Sequence, residues 1–298
     1  MVQDDKVGKD KENFDHIYDQ PDPRQYFRVL GDLDYGIPQH AQPVFAALLA
    51  ARDDQQDDDG QAAHDGGSVL DVCCSYGVNA ALLRCELTLD DIVAHYHEPS
   101  LAGLSPAELA ESDRSFYAEH QRPNAPRTVG LDAAPNAVSY GCRAGLLDTG
   151  LVENLEIEEP SPRLAETLSD VGLITTTGGV GYITHRTFDR LLRVAPADRP
   201  PWVATFVLRM FAYDQIAETL ERHGLVTEAL SDVTFPQRRF ASAHERRATV
   251  EVLRAAGLDP AREQEEGTYQ AVFYLSRPAE DVAAEPLDEL LNGLDFAA

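Results

Sequence analysis

Apolar and polar positions alternate in two ways along this chain, and the change comes near residue 68. Before it, Phe14 to Leu49 mixes aromatic and aliphatic residues at helical spacing, with Val44, Phe45, Leu48 and Leu49 falling on one face of a helix over 41–51. After it, short apolar runs alternate with amphipathic stretches. Val69 to Val72, Thr128 to Leu131, Leu155 to Ile157, Val171 to Thr176, Trp202 to Leu208 and Tyr269 to Leu275 read as strands. Trp202 to Leu208 is apolar without interruption, the pattern of a strand buried on both faces. Helices are expected over Val78–Leu83, from Pro135, whose fixed φ suits a first helical position, and over Glu245–Ala256, ending at Gly257. Strands alternating with helices predict a doubly wound, mostly parallel α/β sheet with helices on both faces.

The same pattern divides the chain. Residues 1–12 are polar and expected to be disordered. Residues 13–67 form a helical cap and an acidic linker, 68–277 the α/β domain, and 278–298 an acidic tail. Two segments exceed a minimal sheet and are expected as lid insertions, about 87–127 and 213–240. The first carries two helix starts, Thr88 with Asp91 and the capping box Ser105-Pro106-x-Glu108.

Composition narrows the function. The net charge of −26 argues against a phosphate backbone as partner; only Arg238, Arg239, Arg246 and Arg247 are dense enough to oppose it. The only lysines are Lys6, Lys9 and Lys11, and an Asp/Glu-rich, Lys-poor surface is expected to stay hydrated in concentrated salt. No run of eighteen apolar residues and no signal-peptide pattern is present, so no membrane contact and a cytoplasmic location are expected. Cys73, Cys74, Cys85 and Cys142 lack CxxC spacing and are expected as reduced thiols. His95 and His97 point to different sides of their helix, and no metal site is expected.

The chemistry-bearing segment is Val69-Leu-Asp-Val-Cys-Cys-Ser-Tyr-Gly77, a buried strand ending in an acid and a turn of small residues that opens a helix. Such a turn aims backbone N–H groups and a helix N-terminus at a ligand. Further on, Val129-Gly-Leu-Asp132 ends a second strand in another acid, and a carboxylate there can accept from both hydroxyls of a ribose. Thr175-Thr-Thr-Gly-Gly-Val-Gly-Tyr182 is a glycine-rich loop after the fourth strand.

In these segments the sequence resembles the class I S-adenosylmethionine-dependent methyltransferases over residues 68 to 277. The first motif, acid-x-Gly-x-Gly-x-Gly, corresponds to Asp71-Val-Cys73-Cys-Ser75-Tyr-Gly77, with two glycines replaced. The helix-Gly-strand-strand ending is matched through Leu253 to Gly257 and Tyr269 to Leu275. The resemblance implies S-adenosylmethionine as cofactor, contacted by Asp71, Cys73, Ser75, Gly77, Asp132, Ala133, Thr176, Thr177 and Gly178, with Glu158 or Glu159 meeting the adenine. It also implies a doubly wound, Rossmann-like, mostly parallel seven-stranded sheet and a small-molecule methyl acceptor. Tyr18, Tyr26 and Arg209 are candidates to touch that acceptor, and His185 and Tyr182 to serve catalysis. Cys73 and Ser75 keep a second reading open, a non-methylating protein that retains the fold. A nicotinamide dehydrogenase is disfavoured because GxGxxG is absent. Neither oligomeric state nor acceptor follows from the sequence.

Overall fold

The structure, a computed structural model, describes residues 15–58 and 67–296, with side chains described for 17–52 and 67–296. The expected disorder of 1–12 and most of the acidic linker lie outside the described residues. In chain order come α1 (Asp15–Tyr18), α2 (Arg24–Gly31), α3 (Ile37–Asp58), β1 (Ser68–Val72), α4 (Val78–Arg84), α5 (Leu89–Tyr96), α6 (Pro106–Glu119), β2 (Arg127–Asp132), α7 (Pro135–Arg143), β3 (Thr149–Val152), α8 (Pro162–Leu168) and β4 (Leu173–Thr177). Then follow α9 (His185–Val194), β5 (Trp202–Leu208), α10 (Asp214–Arg222), β6 (Leu225–Ala229), β7 (Phe235–Arg239), α11 (Ala243–Ala255), α12 (Ala261–Glu266), β8 (Thr268–Pro278), α13 (Ala279–Ala284) and α14 (Leu287–Leu290).

The sheet runs β3-β2-β1-β4-β5-β8-β6, with β1 to β5 mutually parallel and β8 antiparallel to β5. This is a Rossmann-like, doubly wound α/β fold. It has eight strands rather than seven. The long β8 pairs with β6 through Tyr274–Pro278 and with β7 through Thr268–Ala271, so β6 and β7 lie end to end along one side of it.

Alternation along each strand distributes the core between the faces. Val69, Leu173, Ala204 and Phe206 pack under α3 and α11, while Leu70, Ile174, Val203 and Val207 pack under α8, α9 and α10. Every residue of β5 is buried, as its apolar run predicts, and a fully buried Phe or Val side chain contributes roughly 1.5–3 kcal/mol. The fold's third cluster joins the N-terminal helices to the 87–127 segment. Tyr26, Phe27 and Leu30 of α2 meet Ile92 and Tyr96 of α5, and the Phe27 and Tyr96 rings stack at 4.4 Å. Both capping boxes form, Thr88 with Asp91 and Ser105 with Glu108, because their geometry is set within four residues.

Several expectations are corrected. The third strand is Thr149–Val152, not Leu155–Ile157; β3 is a short edge strand whose half-exposed side chains left no apolar run. The segment 213–240 supplies α10, β6 and β7, so it builds the end of the sheet. The helix-Gly-strand unit is α10, Gly224 and β6, which then pairs with β8, and not the 253–275 stretch. The tail beyond 278 docks through Leu287 and Leu291, both buried against the α3 side of the core, and Glu228 ties it by accepting from the Leu287 amide.

Candidate active site

The C-terminal ends of β1, β2 and β4 meet in one place, and two turns shape it. After β1 the backbone takes left-handed conformations at Cys73 (φ +60°), Ser75 (φ +49°) and Gly77 (φ +87°), and then enters α4. Left-handed conformations at residues with a Cβ cost about 1–2 kcal/mol each. In return the Ser75 N–H points at Asp132, donating to Oδ2 at 2.9 Å, while the Ala134 N–H donates to Oδ1 at 3.0 Å. The carboxylate is thus locked at the end of β2, with acceptor capacity left over for the cavity. Burial pushes the Asp132 carboxyl up, opposed by the amides of Ser75, Ala134 and Ala133.

Above these turns lies a cavity of about 550 Å³, within the range of small-molecule sites. One end, over β2 and β3, is acidic and polar: Asp132, Glu153, Asn154 and Glu156. Burial pushes the Glu156 carboxyl up, but hydrogen bonds from Thr184 and Thr187 outweigh it and hold it below its ordinary value. The other end is closed by the cap and β7: Tyr18, Tyr26, Tyr35, Gln237 and Arg238. Tyr26 meets Tyr18 edge-on at 5.7 Å and Tyr35 at 6.4 Å. Burial pushes the Tyr35 hydroxyl up to about 12. The cap is pinned across the cavity. The Tyr76 hydroxyl lies 2.8 Å from the Gln20 amide, which donates to it, and the Asn136 amide donates to Asp19 Oδ1 at 2.8 Å.

The sequence-derived candidates fall into three groups. Cys73, Ser75, Asp132, Ala133, Thr177, Gly178, Tyr18, Tyr26 and Tyr182 line the cavity. Asp71, Gly77 and Thr176 sit one layer behind it. Asp71 accepts from Asn79 Nδ2 at 2.9 Å and Thr175 Oγ1 at 3.0 Å, and it is Asn79 that reaches the cavity. Burial pushes the Asp71 carboxyl up to about 7, with the Asn79 and Thr175 bonds opposing the rise. Gly77 backs the turn against Leu146 and Leu147, and Thr176 is wholly buried in β4.

The third group lies elsewhere. Glu158 is exposed; the positions expected for it are taken by Glu153, Asn154 and Glu156, because β3 ends earlier than its sequence suggested. His185 begins α9 half-buried and does not line the cavity. Arg209 does not line the cavity either. Its Nη1 donates to both carboxylate oxygens of the buried Glu263 at 2.9 Å, and Nη2 donates to the Asp259 carbonyl. It pins α12 to the end of β5.

Asn79, Tyr35, Gln237 and Arg238 were missed as site residues. Tyr35 belonged to a recognisable aromatic cluster, and Asn79 was the one polar residue opening an apolar helix. Gln237 carried no signal of its own, and Arg238 stood out only as one of the clustered arginines. Among the described residues no group of three potential metal ligands converges. His95 bonds Asp113 at 2.9 Å, whereas His97 bonds the Val93 carbonyl. All four cysteines are free thiols. No described helix is long and apolar enough to cross a membrane.

No family model and no curated protein matches the sequence. Among solved structures, the chain is similar to a TehB-like SAM-dependent methyltransferase from Corynebacterium glutamicum, at 14% identity over 78% of this chain and 98% of that one, with a TM-score of 0.36. It is similar also to magnesium protoporphyrin IX methyltransferase from Synechocystis PCC 6803, at 11% identity over 91% and 88% of the two chains (TM-score 0.39). A third is geranyl diphosphate C-methyltransferase from Streptomyces coelicolor A3(2), at 11% identity over 77% and 79% (TM-score 0.39). Likenesses this distant bear on neither chemistry nor acceptor, and the function proposed next rests on the site.

Proposed function

We propose that the protein is an S-adenosylmethionine-dependent methyltransferase acting on a small molecule. The observation that carries this reading is Asp132. It is a carboxylate at the end of a parallel strand, fixed by the Ser75 and Ala134 amides, and it lines a cavity at the C-terminal edge of a doubly wound sheet. A ribose offers the two adjacent O–H donors that the remaining lone pairs of an acceptor-only group can take. Ser75 fits the same ligand. Its Oγ is buried, lines the cavity and has no hydrogen-bond partner among the described residues, the condition of a hydroxyl awaiting a polar ligand. In this reading Asn154 and Glu153, on the lining beyond β3, would meet the adenine edge, and Asn79, Thr177 and Gly178 the amino-acid end.

When bound, the cofactor supplies an electrophilic methyl on a sulfonium, so the chain's own work is alignment and exclusion of water. The cap pinned through Tyr76 and Asn136 performs the second task. A cavity of about 550 Å³ suits a small acceptor, and the net charge of −26 opposes a nucleic-acid one.

Calorimetric titration with S-adenosylmethionine and S-adenosylhomocysteine tests the reading. Micromolar binding is expected for the wild type, falling at least tenfold in Asp132→Ala, since hydrogen bonds to a charged group contribute about 1.5–3 kcal/mol. No binding of either nucleoside by folded protein would overturn it. The second reading, a non-methylating protein of the same fold, draws on the side chains at Cys73 and Ser75. Tight nucleoside binding with no label transferred from methyl-labelled cofactor to any acceptor in a broad panel would favour it.

A further inference from the structure

The strand β7 is irregular in a way that bears on the cavity. Phe235 pairs with Ala271 and Pro236 with Gln270, but Arg239 pairs with Thr268, so three steps along β7 match two along β8. The extra residue is a bulge at 237–238. In a regular strand, neighbours point to opposite faces; a bulge breaks the alternation and re-aims a side chain. Here both Gln237 and Arg238 are buried and both line the cavity. The bulge is held from three sides. Gly36 N–H donates to the Gln237 carbonyl at 2.8 Å, and Arg239 N–H donates to the Leu33 carbonyl at 2.7 Å. Arg238 donates to both oxygens of Glu245 at 3.1 and 2.7 Å and to the Arg239 carbonyl at 2.8 Å, over the face of Tyr269.

The two side chains therefore differ in what they can do. The charge of Arg238 is matched by the equally buried Glu245, and the guanidinium serves as a clasp. Gln237 has an amide packed over Gly178, where a Cβ would lie 2.3 Å from its Nε2, and its Oε1 is buried with no hydrogen-bond partner among the described residues. A buried, unpartnered acceptor on a residue that lines a cavity is costly unless a ligand donates to it. Gly178 directly follows β4, two strands along the sheet from the β2 that carries Asp132, so Gln237 stands at the far end of the cavity, among Tyr18, Tyr26 and Tyr35.

We propose that Gln237 selects the methyl acceptor, and that the acceptor is an uncharged aromatic molecule whose O–H or N–H donates to Gln237 Oε1. This rests on the methyltransferase reading for the reaction, though not for the recognition. Ring edges and faces of the three tyrosines suit a flat body. An anion is disfavoured, because the one cation among the described lining residues is matched by Glu245 while Asp19, Asp132, Glu153 and Glu156 share the lining.

Three probes of one size decide it: phenol (neutral, with a donor), anisole (neutral, without one) and benzoate (anionic). Each is titrated by ligand-observed NMR against the full-length protein, with and without S-adenosylhomocysteine. Wild type is expected to bind phenol about fivefold to tenfold more tightly than anisole or benzoate, the size of one neutral hydrogen bond. Gln237→Met keeps the shape and is expected to erase phenol's advantage; Gln237→Glu keeps an acceptor oxygen and is expected to retain it. The nucleoside's affinity is expected to change less than about twofold in either variant. Several results would overturn the proposal: benzoate bound most tightly, no probe bound, an unchanged preference in Gln237→Met, or nucleoside affinity lost in step with phenol's. The last would place Gln237 in the nucleoside's own contacts. Failure to bind the nucleoside alone would defeat the methyltransferase reading, while the phenol-anisole comparison without it still decides on Gln237.

Discussion

The turn after β1 and the turn after β4 perform the same geometric task with opposite residues. Both need left-handed backbone. The β4 turn uses glycine, at Gly178 (φ +70°) and Gly181 (φ +113°), whereas the β1 turn places Cys73 and Ser75 in that region. The surroundings explain the difference. A Cβ at Gly181 would lie 2.6 Å from the Phe211 ring, and one at Gly179 would lie 2.5 Å from Thr176 Oγ1 and 3.0 Å from Cys73 Sγ. The β1 turn instead faces the cavity, where a side chain has room. The turns are also complementary: the thiol of Cys73 lies where Gly179 carries nothing. Conformational strain alone is tolerated at a site, while strain combined with a clash is not.

Five substitutions break or sharpen this contrast, and thermal and urea unfolding read them. Gly181→Ala combines φ strain with a collision against an aromatic ring and is expected to cost roughly 3–5 kcal/mol. A loss below about 1 kcal/mol would mean the loop moves freely and the contrast is false.

Asp71 links the two turns through Asn79 and Thr175. Its folded pKa is raised to about 7, so the folded state holds a proton that the unfolded chain has already released. The stability from this group is full below about pH 4 and is lost as pH rises towards 7. Asp71→Asn should therefore gain stability relative to wild type across that window, reaching on the order of 4 kcal/mol near pH 7. Parallel pH profiles for the two proteins would refute the assignment.

Gly178→Ala meets only the end of the Gln237 side chain and should cost about 1–2 kcal/mol, mostly from its φ. The smallest effects belong to Cys73→Gly and Ser75→Gly. Each relieves strain but loosens the unfolded chain, for a net gain of about 0.5–1 kcal/mol. A loss in either variant would mean that the side chain there makes a contact worth more than its strain.

Arg209 and Gln237 show how far sequence reading reached. Arg209 ends β5 at the edge where ligands bind, and the position alone suggested an acceptor contact. Its partner Glu263 comes from a helix 54 residues later, and nothing local announces that pairing. Gln237 fell within the expected lid segment 213–240 until β8 fixed the register of β7. The Leu155–Ile157 strand was misplaced for a related reason: a short edge strand buries too little to write a period into the sequence.

What the sequence determined by itself is what local pattern encodes. It set the β1 turn into α4, the acid that ends β2, the buried run of β5, and the capping boxes of α5 and α6. Each depends on residues within a few positions of one another, where backbone sterics and hydrogen bonding decide the outcome. Only the tertiary structure decided that β6 and β7 share β8, that a bulge turns Gln237 and Arg238 to one side, and that Tyr18 and Tyr26 close the cavity. Those follow from strand register and from which faces meet, and long-range pairing fixes both at once.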